Sequence, residues 1–415
     1  MRNLIIFVLL LVFRSGFCQS LITVDDAMLI SMKQNYDILI SRASADIDSV
    51  NNTAGNAGML PYISLNASDI FSYSSSQSNS FSTGVVANWT LFDGGKMFVT
   101  RKKLQEIRDL GEIRFRDKVT QTLFNVILAY YEVVRQKQQL SSLNEIIRYN
   151  KERVNILQAS FKAGLVPKTD LLQSQVDLNV FMENAIIQQT VILDSKRTLN
   201  KWLSRDADTP YEVVDSIDLS YIPDKNDLNN KLYSQNTQVL GFQKAVDVSA
   251  LAIKELSAQR LPWVDISAGY NFLLNDYSAG TTTKNSSNGA LIGGSLNFPI
   301  FYGGNINRQV RVARLQSQSA QYSLQSVKTS VNTELQNALS DYEHAMQLLT
   351  LEKSNKALAK ENLTISMDRL RLGQTTSLEV RQAEESYIQS LTRYIQFSFT
   401  AKVAETKLKQ LVATL

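Results

Sequence analysis

Leu91-Phe92-Asp93-Gly94-Gly95 recurs 209 positions later as Ile300-Phe301-Tyr302-Gly303-Gly304. Gly164-(x5)-Asp170-Leu171 recurs at the same offset as Gly373-(x5)-Glu379-Val380. Two unrelated motifs kept in one order and at one spacing mark an internal repeat. Each half reads as a helix, two strands and two further helices. The paired glycines suit a chain that leaves a strand for a helix through conformations closed to a β-carbon. Asp93-Gly94-Gly95-Lys96 is no phosphate loop: the spacing is wrong, and Met97 stands where Ser or Thr should follow the lysine.

Upstream of each glycine pair the apolar period is two. After Pro61, Ile63, Leu65, Ala67, Phe71 and Tyr73 alternate with polar residues, interrupted by Asp69; later Phe81, Val85, Ala87, Trp89 and Leu91 do the same. After Pro262 the pattern returns in Val264, Ile266, Ala268, Tyr270, Phe272 and Leu274, then in Ile292, Leu296, Phe298 and Ile300. Strands are predicted over 61–73, 81–92, 263–274 and 290–301, with Pro61 and Pro262 at the helix-to-strand entries. Polar loops, Ser74–Ser80 and Asn275–Gly289, join each pair. A tilted strand of about 9–11 residues crosses a bilayer, and Trp89, Tyr270, Phe298 and Phe301 suit an interfacial girdle.

The amino terminus supports export. Arg2 precedes an apolar run, Leu4–Phe13, and small residues at Gly16 and Cys18 suit cleavage before Gln19, so 1–18 reads as a signal peptide. A lipid on Cys18 is the rival reading, although Phe17 is bulky where a lipobox wants a small residue. Cleavage leaves 41 basic against 39 acidic side chains, no basis for a nucleic-acid partner, and no thiol. With His344 as the single histidine, histidine-based catalysis and usual zinc sites are ruled out; no cofactor or metal motif is found and no enzyme is expected. No long apolar run follows the signal, so a membrane crossing falls to the strands.

Helices are predicted near 22–57, 96–163, 169–203, 226–259, 304–372 and 376–413. Coiled-coil spacing appears in Leu140, Leu143, Ile147, Val154, Leu157 and Phe161, with Asn150 at the polar seam position. It recurs in Val331, Leu335, Ala338, Tyr342, Ala345 and Leu349, and Leu351, Leu358, Ile365 and Leu372 then follow every seven. The repeats run 19–203 and 227–415, separated by an irregular segment, 204–226. Two short helices end to end match one long one, giving four columns. Four strands cannot close a barrel, and a bare edge in lipid costs several kcal/mol per backbone group. The chain must share its barrel with copies of itself; two or three would serve.

From residue 21 to 413 the chain resembles the TolC-type outer-membrane efflux channels. The resemblance rests on the paired junctions and on the paired turns Phe161-Lys-Ala-Gly164-Leu-Val-Pro-Lys-Thr-Asp170 and Leu370-Arg-Leu-Gly373-Gln-Thr-Thr-Ser-Leu-Glu379. It implies an α+β membrane protein: a homotrimer whose shared twelve-stranded β-barrel continues into a helical coiled-coil tunnel. It implies a passive exit duct in the outer membrane of a Gram-negative bacterium, part of a tripartite efflux or type I secretion system. The partners would be outer-membrane lipid, a periplasmic adaptor and an inner-membrane pump of RND, ABC or MFS type. The adaptor would meet the turns at Gly164, Leu165, Val166, Gly373, Gln374 and Thr375. In the family, acidic residues six and nine after the second glycine line the periplasmic constriction. Here these are Glu379 and Gln382, with Asp170 matching Glu379 in the first half, so a weaker cation trap is expected. Thr375 stands where some members carry an arginine of the closed-state latch, which points to a different latch. Gly164 and Gly373 fit helix C-caps, and Thr169 and Ser377 the following N-caps. A soluble periplasmic coiled-coil adaptor or scaffold is the alternative, but it has no need of a duplicated strand pair.

Overall fold

The computed structural model describes residues 21–73, 77–277 and 284–415. The expected signal peptide, its cleavage point, Cys18 and parts of both strand-joining loops lie outside these residues. The fold is α+β and divides into two compact units that cut across the repeats.

The first unit holds residues 21–39, 118–232 and 331–415. Strand β1 (Leu21–Ile22) pairs in parallel with β4 (Glu212–Val213), a short strand inside the segment expected to be irregular. Around them Val126, Tyr130, Val133, Val134, Leu199, Leu203 and Tyr211 form a buried core. The Tyr130 hydroxyl donates to the Ile22 carbonyl at 2.9 Å, and Lys137 and Lys196 both pair with Glu212. These contacts fix the link between the repeats onto the helices beside it.

Two of the four expected short helices, those near 22–57 and 226–259, are broken. The first is α1 (Val24–Gln34) and α2 (Tyr36–Asn51), ending at Asn51 rather than near Asn56. The break is Asn35, buried and extended, whose Oδ1 accepts from the Asp37 and Ile38 amides while its Nδ2 donates to the Trp202 carbonyl at 2.8 Å. In the second half α5 (Lys225–Gln235) gives way to α6 (Thr237–Ala258) at Asn236, which caps the Val239 amide. A buried asparagine that bonds its own downstream backbone outcompetes helix continuation.

The long helices are α3 (Lys96–Lys162) and α7 (Asn305–Arg371), 67 residues each or about 100 Å. They are followed by α4 (Lys168–Trp202) and α8 (Ser377–Leu411). On α3 the buried stripe is Leu143, Ile146, Asn150, Arg153 and Leu157; Ile147 and Val154 lie beside it, half-buried. On α7 the run Val331 to Ala345 is buried as expected, but the heptad leucines are not. Leu351, Leu358, Ile365 and Leu372 are all more than half exposed, and Leu363, Met367 and Leu370 pack inward instead. The helix carries two apolar stripes, and periodicity alone does not say which one packs within the chain.

The second unit holds residues 40–117 and 233–330. Its sheet is antiparallel in the order β2-β3-β5-β6: β2 (Tyr62–Tyr73), β3 (Gln77–Asp93), β5 (Trp263–Tyr277) and β6 (Lys284–Asn297). The strands take up most of what reads as loop in the sequence, since β3 begins at Gln77, β5 runs to Tyr277 and β6 begins at Lys284. At the other end β6 stops at Asn297, so Phe298 to Phe301 are not strand as expected. Pro299, without an N–H, cannot extend the ladder. One face is polar across the registers Thr90–Asp265–Ser295 and Asn271–Gly289, with Thr90 Oγ1 bonded to Asp265 at 2.7 Å. The other runs through Val85–Tyr270–Ala290 and Ala87–Ala268–Ile292.

Candidate functional site

The two turns of the first unit share one geometry. Gly164 has φ 73°, and its N–H donates to Phe161 O at 2.9 Å while Leu165 N–H reaches back to Ser160 O at 2.9 Å. Gly373, φ 68°, and Gln374 repeat this onto Leu370 O and Arg369 O at 3.0 and 2.8 Å. This is the Schellman arrangement, in which a left-handed glycine closes a helix. The following caps differ from expectation. Pro167 precedes α4 with no side-chain cap bond, and Thr169 already lies inside the helix. For α8 the cap is Thr376, not Ser377, with Oγ1 accepting from the Glu379 amide at 3.3 Å. Thr376→Ala should therefore lose about 1 kcal/mol in chemical denaturation, and Thr169→Ala almost nothing.

Glu379 sits exposed in the first turn of α8. It accepts from Arg369 Nη1 at 2.9 Å and from the Thr375 hydroxyl, while Arg369 Nη2 donates to the Gln374 carbonyl. Its charge is thus answered inside its own turn. Arg371 bridges Asp368 and Glu152 of α3, joining the two halves. Asp170 is half-buried in the first turn of α4, and Gln382 is exposed. No hydrogen bond or ion pair among the described residues joins Asp170, Glu379 and Gln382 to one another.

Between these helices lies a buried charge cluster that sequence reasoning missed. Arg153, 1 % exposed, approaches Asp177 of α4 at 2.8 Å and Glu384 of α8 at 3.1 Å. It also donates to Asn150 Oδ1 at 2.8 Å, and Asn150 Nδ2 donates to Glu384. The Nη1 approach to Glu384 is an ion pair without hydrogen-bond alignment, and Nε has no partner among the described residues. One signal was available: Asn150 and Arg153 fall at the 3-4 spacing of the buried stripe.

Burial pushes the Glu384 carboxyl up to about 7, with Arg153 opposing and Asp177 adding to the rise. A carboxyl raised above its unfolded value of 4.5 binds protons more tightly in the native state. Its contribution therefore favours folding at low pH and is lost as pH rises from about 4.5 to about 7. That loss amounts to about 3 kcal/mol. Glu384→Gln keeps the acceptor for Asn150 and leaves Arg153 paired with Asp177, so the variant should flatten the pH dependence of thermal melting across that window.

At the junctions, Asp93 Oδ1 accepts from the Met97 amide at 3.0 Å and caps α3. Gly94, Gly95, Gly303 and Gly304 all have positive φ. Pro61 and Pro262 immediately precede β2 and β5. Asp93, Trp263 and Asn297 are register partners, so three strands end level beside the helix starts.

This combination, one four-stranded sheet feeding two 67-residue helices through glycine pairs, is matched by known proteins. The family model for outer membrane efflux protein covers residues 32–203 and 228–414. The chain belongs to this family. BepC of Brucella suis, an outer membrane efflux protein, is 21 % identical over 388 residues, covering 92 % of this chain and 83 % of that one. The CusC structure superposes with a TM-score of 0.82 at 16 % identity, covering 96 % and 94 %. The Campylobacter jejuni CmeC outer membrane channel does so at 0.80 and 16 %, covering 94 % and 85 %.

This outer membrane efflux protein is accordingly an exit duct resident in the outer membrane, with a periplasmic extension. No helix among the described residues is long and apolar enough to span a bilayer. Its family is one of channels, in which Arg371–Glu152 and the Arg153 cluster read as ties between helices.

Proposed function

We propose that three copies of the chain close a twelve-stranded barrel, and that an inner-membrane pump delivers solute or polypeptide to it through a periplasmic adaptor. The observation that carries this is the sheet itself: β2 and β6 are edges, each pairing on one side only among the described residues. Backbone groups left bare in lipid would cost several kcal/mol each, and matching edges on successive copies satisfy them. The adaptor would meet the exposed turns at Gly164–Val166 and Gly373–Thr375.

In this reading Glu379, Gln382 and Asp170 come near the periplasmic mouth, and the gate is held by Arg371–Glu152 in place of an arginine at position 375. Since Arg369 offsets the Glu379 charge, the cation trap is weak. Purified protein in planar bilayers should conduct with a modest cation preference, and Glu379→Gln should reduce that preference. Unchanged selectivity would remove Glu379 from the constriction.

A further inference from the structure

Two helices of the second unit keep an apolar seam that stays exposed in the chain. In α2 the positions Ile40, Ala43, Ile47 and Val50 step by three and four, and Ile40, Ile47 and Val50 are 65, 59 and 74 % exposed. In α7 Val312, Leu315, Ser319 and Tyr322 step the same way, with Val312, Leu315 and Tyr322 at 42, 59 and 67 %. Each helix spends a different face on its own copy: Ala45 of α2 is buried, as are Val310, Ala313 and Ser317 of α7. A second stripe at 3-4 spacing is what a helix presents to another helix.

The sheet says which helix that is. α2 leads into β2 and α7 leads out of β6, and these are the two edge strands. The register row Tyr62–Asn88–Ser267–Gly293 puts the start of β2 and the end of β6 at the same end of the sheet. Pairing β6 of one copy with β2 of the next therefore brings the second copy's α2 beside the first copy's α7. One helix runs toward the sheet and the other away from it, so they meet antiparallel. In that direction the seams match layer for layer: Val50 with Val312, Ile47 with Leu315, Ala43 with Ser319 and Ile40 with Tyr322. The small residues share a layer, and so do the large ones.

Charge agrees with this partner. α2 carries Asp37, Asp46 and Asp48 against Arg42, whereas residues 305–330 carry Arg308, Arg311, Arg314 and Lys328 and no acid. Asp46 and Arg311 each directly precede a seam residue, the flanking position at which coiled coils set partner and orientation.

We propose that α2 of one copy zips antiparallel along the start of α7 of the next, so that helices as well as strands join the copies. The surface is heterologous, and successive copies close it into a ring. The proposal rests on the shared barrel proposed above.

The test is disulfide cross-linking of the full mature protein in membranes, read on non-reducing gels. Val50→Cys/Val312→Cys and Ala43→Cys/Ser319→Cys are in register, and a disulfide needs β-carbons about 3.5–4.5 Å apart. Both should give reducible species of two and three chains, while the staggered control Val50→Cys/Tyr322→Cys should stay a single chain. Native mass spectrometry of the same samples counts copies independently. Three copies without cross-links from the in-register pairs overturn the seam and leave the shared barrel standing. A cross-link within one chain, or to a different protein, also overturns the seam. A single copy in the native spectrum overturns the seam and the shared barrel together.

Discussion

Arg153→Met should destabilise the protein by about 3 kcal/mol, seen as a lowered midpoint in thermal or denaturant unfolding. Arg153 is 1 % exposed and is the cation between Glu384 and Asp177. Removing one partner of a buried charge cluster leaves the others uncompensated, typically at a cost of about 3–5 kcal/mol. The lower end applies because Glu384 already titrates at about 7 and can take up a proton. Losing Arg153 removes the group that holds that value down, so it should rise further. The deficit should then grow with pH and shrink in acid. A double variant, Arg153→Met with Glu384→Leu, should recover part of the loss, since an apolar replacement removes the orphaned charge. If Arg153→Met were neutral at pH 8, the cluster would not be buried as described.

Gly94→Ala should abolish most assembled protein, whereas Gly95→Ala should be tolerated. Both glycines have positive φ, 70° and 79°, so either alanine meets left-handed strain of about 1–2 kcal/mol. Only at Gly94 would the new β-carbon also lie 2.5 Å from the Ala258 carbonyl oxygen and 2.7 Å from Leu261 Cβ. At Gly95 nothing lies within 4 Å. Backbone cannot swing aside as a side chain can, so overpacking adds about 1–3 kcal/mol at Gly94 alone. The yield of detergent-extracted oligomer measures the contrast; equal yields would mean that the end of α6 does not press on the junction.

The repeat, the glycine turns, the strand count and the junctions were legible because each rests on local chemistry. A left-handed glycine, a proline at a strand entry and period-two alternation need no knowledge of neighbours. What sequence did not show depends on which residues meet. Ile146 rather than Ile147 faces inward because α3 packs with one particular rotation. Leu351, Leu358, Ile365 and Leu372 form a stripe as regular as a core stripe, yet they are exposed in the chain. Arg153 reads as a surface residue until Asp177 and Glu384 arrive from helices 24 and 231 positions away. Asn35 and Asn236 look like tolerated helix residues, and only the Trp202 carbonyl and the following amides reveal them as breaks. Thr376 took the capping role from Ser377 by one position, a margin that propensity does not resolve.

The shared barrel is the central claim, and native mass spectrometry of the detergent-extracted protein tests it most directly. Three chains per particle is the expected result, with loss of the assembly only when detergent or denaturant disrupts the sheet. A single chain, or protein that leaves membranes with salt alone, would contradict it, because the open edges of β2 and β6 would then have no partner in lipid.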